Sequence, residues 1–321
     1  MLDEAVGSKQ VRTDVHHSNG AQRTTFDARE KPRKRYASFS IDDIEKPCLD
    51  VFYLIHGLMV KRGIHVTYGP SSVGKTFAQL HALLHVATGK DYAGRRTEKA
   101  LVIYITGEGE EMFRNRIYLA KKKLGIKEGT ATFRGMTDMP NLARGDFDTC
   151  ELIKAVKAIA VEPQYAGLLV VVVIDTASTA LKGAKEDEVG LGLLMANSKL
   201  ISDELDGLTI VIHHTGKDAA AGPRGSSPAT ANADVVWRIE ELEGGGKIII
   251  EKNRDGAKNM AWTFDRKVEP LGQNQYGDEV TTCYIELTSE PQLLQQKAEY
   301  KGSKREKKQT KYRPQGNRVK K

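Results

Sequence analysis

Residues 65–77 read HVTYGPSSVGKTF, and Gly69, Pro70, Ser71, Ser72, Val73, Gly74, Lys75 and Thr76 within them satisfy GxxxxGK[ST] at every position. That spacing suits one kind of chemistry. A glycine-bounded turn lets backbone N–H groups face polyphosphate oxygens, and the helix after it points its positive end at the same place. A lysine then reaches the terminal phosphates and a hydroxyl holds Mg²⁺. Lys75 and Thr76 are the residues expected in those roles, with Phe77 completing the run that would bind ATP.

A phosphate loop needs an acid on a neighbouring strand, and LLVVVVIDTAS supplies Asp175 at the end of an apolar run, beside the expected Mg²⁺. Hydrolysis also needs a group to orient or deprotonate the attacking water. No second acid adjoins Asp175, so the base must come from another strand; LVIYITGEGEE places Glu108 just past one, where ligands bind in open α/β sheets. Glu110 and Glu111 are rivals, better suited to the first turn of the next helix, where acids complement the dipole. His213 and His214 end a further strand. Adjacent strand residues point to opposite faces, so at most one of the two faces the nucleotide and could contact the γ-phosphate; His214 is carried as the candidate, and the pair cannot converge on one metal ion. The following TGKD has a faint likeness to the guanine-reading [NT]KxD of GTPases, but the DxxG turn is missing after Asp175.

The elements that must position these groups alternate. Strands are expected at 64–68, 101–105, 168–174 and 208–214, with helices at about 74–88, 110–124, 147–161 and 189–205. The run LLVVVVI suits a central parallel strand covered on both faces. This is an α/β pattern with a mostly parallel sheet flanked by helices. Beyond Ala233 the texture changes to strands without helices, expected to extend the sheet as an antiparallel meander.

Composition bounds the rest. The 321 residues have room for one large α/β domain with extensions. The expected division is 1–40 as a disordered segment, 41–290 as the nucleotide domain and 291–321 as a basic disordered tail. Net charge is +7, yet residues 292–321 hold eleven Lys/Arg against two Glu, a balance of +9 that leaves −2 elsewhere. That tail suits a polyanion such as nucleic acid. No apolar stretch approaches the roughly 18 residues of a membrane span, and MLDEAVGSKQ lacks the pattern of a secretory signal. Cys48, Cys150 and Cys283 are widely separated, which fits a reducing cytoplasm.

Taken in order, LIHGLMVKRGIHVTYGPSSVGKTF, LVIYITGEGE, VVIDTAS, IVIHHTGKD, GPRGSSPATANADVVWRIE and IEKNRDG resemble the RecA-type ATPase core of hexameric replicative helicases, most closely the plasmid and phage RepA-like branch of AAA ATPases, over roughly residues 50–265. The resemblance implies a bacterial, plasmid or phage setting and a homo-oligomeric ring, normally a hexamer. It also implies Lys252 and Arg254 reaching across to a neighbour's γ-phosphate, and single-stranded DNA as partner. DNA would be touched by Lys182 and Lys185 in the loop after Asp175 and by Lys217 and Arg224 in the loop after His214; Arg224 is also a candidate for the subunit interface. Both loops carry basic side chains and lack aromatics, so contact should be mostly electrostatic. Replication or recombination proteins would supply priming or loading. The alternative activity is that of a RecA-like DNA-binding ATPase acting in recombination or repair without unwinding.

Overall fold

The computed structural model describes residues 40–44, 46, 51–107, 109–214 and 228–294. The chain divides between Leu49 and Asp50, somewhat beyond the change of pattern at Ile41. The first unit's described part is a short 3-10 turn, Ile41–Asp43.

In the second unit, β1 (Tyr53–Ile55) and β2 (Met59–Val60) pair as a small antiparallel hairpin. β3 (Gly63–Gly69) runs through the phosphate loop into α1 (Lys75–Thr88), and β4 (Ala100–Thr106) precedes α2 (Glu110–Lys123). A short β5 (Phe133–Met136) precedes α3 (Phe147–Ala160), while β6 (Leu169–Asp175) leads to α4 (Ala177–Ala180) and α5 (Glu188–Leu205). Next come β7 (Leu208–His214) and α6 (Pro228–Asn232). The last elements are β8 (Val235–Leu242), β9 (Gly245–Asn253), β10 (Met260–Gln273), β11 (Glu279–Leu287) and β12 (Gln292–Leu293).

All but the hairpin join one sheet, ordered β11-β10-β9-β8-β3-β7-β6-β4-β5 with β12 against β10. From β8 to β5 every pairing is parallel. Side chains alternate across a strand, so each central strand feeds two cores. Val171 and Val173 of β6 join Leu83, Tyr104 and Trp237 on one face; Val170, Val172 and Ile174 join Leu194 and Ile201 on the other. With both faces covered, β6 reads as an unbroken apolar run.

The C-terminal half departs from the expected meander in one respect. β8 pairs in parallel with β3, His65 opposite Val235, and only β9, β10 and β11 run antiparallel from there. The VVW stretch is buried on both faces, and such a run does not disclose its direction. α6 and β5 were not expected either: each is short, and β5 is a half-exposed edge strand carrying a glycine. The loop after Asp175 begins as α4, whose Ala177 and Ala180 are buried, and its exposed part before α5 is residues 182–187. Past residue 290, β12 pairs with Met260 and Ala261 of β10.

Candidate functional site

Strand register assembles the site. The β3–β7 ladder sets Gly69 beside His214, β7–β6 sets Ile212 beside Asp175, and β6–β4 sets Asp175 beside Thr106. Four adjacent strands therefore deliver the phosphate loop, the histidine and the acid to one carboxyl rim, where open α/β sheets take their ligands.

The loop's glycines are dictated by space. Gly74 has φ +96°, and a Cβ there would lie 3.2 Å from the Phe264 ring; at Gly69 it would lie 2.4 Å from the Ile239 carbonyl oxygen. Gly74 caps α1 without a side-chain bond, and the first turn carries no acid, so neither offsets the positive end of the helix. Arg266 on β10 donates from Nη1 to the Ser72 carbonyl at 2.7 Å and holds the loop from behind.

Lys75 is 4% exposed and its ammonium donates to the carbonyls of Gly69 at 3.0 Å and Pro70 at 2.7 Å. It also lies 2.9 Å from His214 Nδ1, and Ser71 Oγ is 3.4 Å from the same nitrogen. An ammonium can only donate, so Nδ1 is the acceptor and the neutral ring carries its proton on Nε2. His213 is buried, its Nε2 has no hydrogen-bond partner among the described residues, and burial together with the Lys75 charge lowers its pKa to about 4. Of the two histidines, His214 reaches the phosphate loop.

Thr76 Oγ1 donates to Asp175 Oδ2 at 2.9 Å, and the buried Tyr104 hydroxyl donates to the same oxygen at 2.7 Å. Gly107 N–H donates to the Asp175 carbonyl at 2.8 Å, fixing the end of β4 beside it. A hydroxyl and a carboxylate side by side are oxygen donors suited to Mg²⁺. Among the described residues no group of three or more His, Cys, Asp or Glu could hold an ion. Two oxygen donors beside the phosphate loop would suit an ion that also takes phosphate and water oxygens.

Two cavities meet here. One of about 330 Å³ is lined by Ser71, Gly74, Lys75, Thr76 and His214. The other, about 350 Å³ and mainly apolar, lies between α1, α2 and β11, with His81, Lys123, Tyr284 and Leu287 on its walls. Phe77 and Arg116 line both, and the Arg116 guanidinium sits 4.9 Å from the Phe77 ring centre.

The remaining candidates lie elsewhere or outside the description. Lys252 Nζ donates to the Ala231 carbonyl at 2.7 Å, and Arg254 Nη1 pairs with Asp234 Oδ1 at 2.7 Å. Val236, opposite Lys252, pairs with Val66, and Asp234 bonds Ile64, so this basic pair lies toward the amino end of β3, away from the loop at its other end. Lys182 and Lys185 are exposed. Glu108, Lys217, Arg224, residues 1–39 and residues 295–321 lie outside the described residues. Sequence reasoning missed Tyr104, Arg116, Arg266 and Asp234. A tyrosine in the otherwise apolar buried run of β4 was the one available signal; nothing local marks the contacts of Arg116, Arg266 or Asp234.

A family model described as an AAA domain matches residues 30–220. No curated protein matches the chain. Among solved structures it is similar to a DnaB-like replicative helicase, described together with its interactions with primase, at 14% identity and a TM-score of 0.50 over 74% of this chain and 66% of that one. The chain thus spans just under two thirds of that helicase's length. It is also similar to the RadB recombinase, at 17% identity and a TM-score of 0.43 over 64% of this chain and 89% of that one. A KaiC-like protein from the hyperthermophilic archaeon Pyrococcus horikoshii gives 14% identity and a TM-score of 0.42 over 72% and 93%. The fold is that of RecA-like P-loop ATPases, a mixed α/β core with a mostly parallel sheet. No helix among the described residues is long and apolar enough to cross a membrane.

Proposed function

The chain belongs to the AAA domain family, and from that premise we propose that it is an ATP-driven, ring-forming DNA motor of the RepA-like branch, translocating on single-stranded DNA and separating strands. The observation that carries the reading is the meeting of Lys75, Thr76, Asp175 and His214 at one strand rim. The position of Lys252 and Arg254 away from their own phosphate loop supports a second element: they serve the site of a neighbouring copy.

In this mechanism the backbone of residues 69–74 and the start of α1 cradle the phosphates, and Lys75 exchanges the Gly69 and Pro70 carbonyls for terminal phosphate oxygens. Thr76 and Asp175 would hold Mg²⁺, which would supply positive charge to offset that of the phosphates. Tyr104 keeps the Asp175 carboxylate aimed at that position. The ribose and base lie toward the apolar cavity, beside the paired Phe77 ring and Arg116 guanidinium. Glu108 takes the proton of the attacking water. His214, bonded to Lys75 and ending β7, passes the change at the γ-phosphate to the segment bearing Lys217 and Arg224. An arginine supplied in trans stabilises charge only in the assembled ring and is worth roughly 10³ to 10⁵ in rate.

The test is ATP turnover with and without single-stranded DNA, run beside displacement of a forked duplex. Wild type should show both DNA-stimulated turnover and displacement, and Lys75→Ala neither. Stimulated turnover without displacement would assign the chain to DNA-binding ATPases of recombination or repair. Turnover indifferent to DNA, or retained by Lys75→Ala, contradicts the proposal.

A further inference from the structure

Arg254 is not a loose surface cation. Its backbone N–H donates to the Asp234 carbonyl at 3.0 Å, and its Nη1 pairs with Asp234 Oδ1 at 2.7 Å. The arginine side chain is 62% exposed and the aspartate 15%, so the guanidinium is gripped at one corner while much of it faces outward. The second carboxylate oxygen accepts the Ile64 N–H at 2.8 Å, and the Asp234 N–H donates to the Ile64 carbonyl at 2.7 Å. Ile64 lies at the start of β3, the strand whose far end is the phosphate loop. Gly63 clears the space for this clasp: a Cβ there would stand 2.1 Å from Asp234 Oδ2. Lys252 is a nearby like charge, held by the Thr230 and Ala231 carbonyls at the end of α6.

We propose that Asp234 is the positioning residue for Arg254: it fixes one nitrogen of the guanidinium, leaves the others for a neighbouring copy's γ-phosphate, and ties that reach to the first turn of the chain into its own phosphate-loop strand. This rests on the reading of Arg254 as a group acting in trans. A guanidinium has five N–H donors in a rigid fork, so one can be spent on orientation without losing bidentate phosphate contact. The carboxylate also offsets the repulsion between Arg254 and Lys252. Loss of this hold costs rate rather than nucleotide affinity, because the affinity-determining contacts belong to the opposite end of β3.

The experiment is a double-substitution cycle in the full chain, with DNA-stimulated ATP turnover, KM for ATP and thermal unfolding measured for each protein. Asp234→Asn keeps an acceptor for the Ile64 N–H and removes the charge facing Arg254. It should lower kcat about tenfold or more, as misplacement of a reacting group does, with KM within about twofold. In an Arg254→Ala background the same change should add nothing, a result a merely structural role would not give. Unchanged turnover in Asp234→Asn while Arg254→Ala is impaired overturns the role of Asp234 alone, as does a further loss in the double variant. Full turnover in Arg254→Ala overturns the reading of Arg254 and this inference with it. Should Asp234→Asn lack a folding transition, Asp234→Ser, with a hydroxyl able to accept from Ile64, must meet the same outcomes.

Discussion

Lys75 Nζ and His214 Nδ1 stand 2.9 Å apart, joining the lysine of the phosphate loop to the last residue of β7. His214→Ala removes that link without touching the loop backbone. We expect KM for ATP to change less than about threefold and kcat to fall about ten- to a hundredfold, with most of the stimulation by single-stranded DNA lost. Steady-state turnover over a range of ATP and oligonucleotide concentrations measures this, and intact DNA stimulation would remove His214 from the signalling path.

Arg116 covers Phe77 where the polar and apolar cavities meet. If the base lies there, Arg116→Ala removes a stacking and cationic contact worth about 1–2 kcal/mol, raising the Kd for ATP about tenfold. Inorganic triphosphate, which has no base, should lose less. Equal losses for the two ligands, read by calorimetric titration, would move the base elsewhere.

His65 is fully buried beside Thr67 and Trp237, and burial lowers its pKa from 6.5 to about 3. Between those values the unfolded chain binds the proton and the folded one does not. Stability from this group is therefore complete above pH 6.5 and falls as pH drops toward 3, by up to about 1.4 kcal/mol per pH unit. His65→Phe should flatten the acid slope of urea-unfolding free energy by about that amount, whatever its effect at pH 7. An unchanged slope would mean that His65 protonates within the folded protein.

The features legible in the sequence were those written in consecutive residues. LVVVVID announced a strand covered on both faces, GPSSVGKT the loop between β3 and α1, and Gly89 the end of α1, where φ is +67°. Asp175 beside Thr76 followed from the pairing of a phosphate loop with an acid at a strand end. Long-range partners were not legible. Arg266 on Ser72 joins residues 194 apart, and no local pattern marks such a contact. The direction of β8 depended on the return path of the chain after β7, which composition does not encode. His213 and His214 were separable only through register, because the β3–β7 ladder decides which face meets Gly69.

The claim that one copy's Arg254 completes another copy's nucleotide site is tested most directly by mixing Lys75→Ala with Arg254→Ala protein. Each alone should be nearly inactive. In mixed assemblies some intact phosphate loops face an intact arginine, so DNA-stimulated ATP turnover should rise well above that of either parent preparation. Turnover that stays at the parental level, in assemblies shown to contain both variants, would contradict the account.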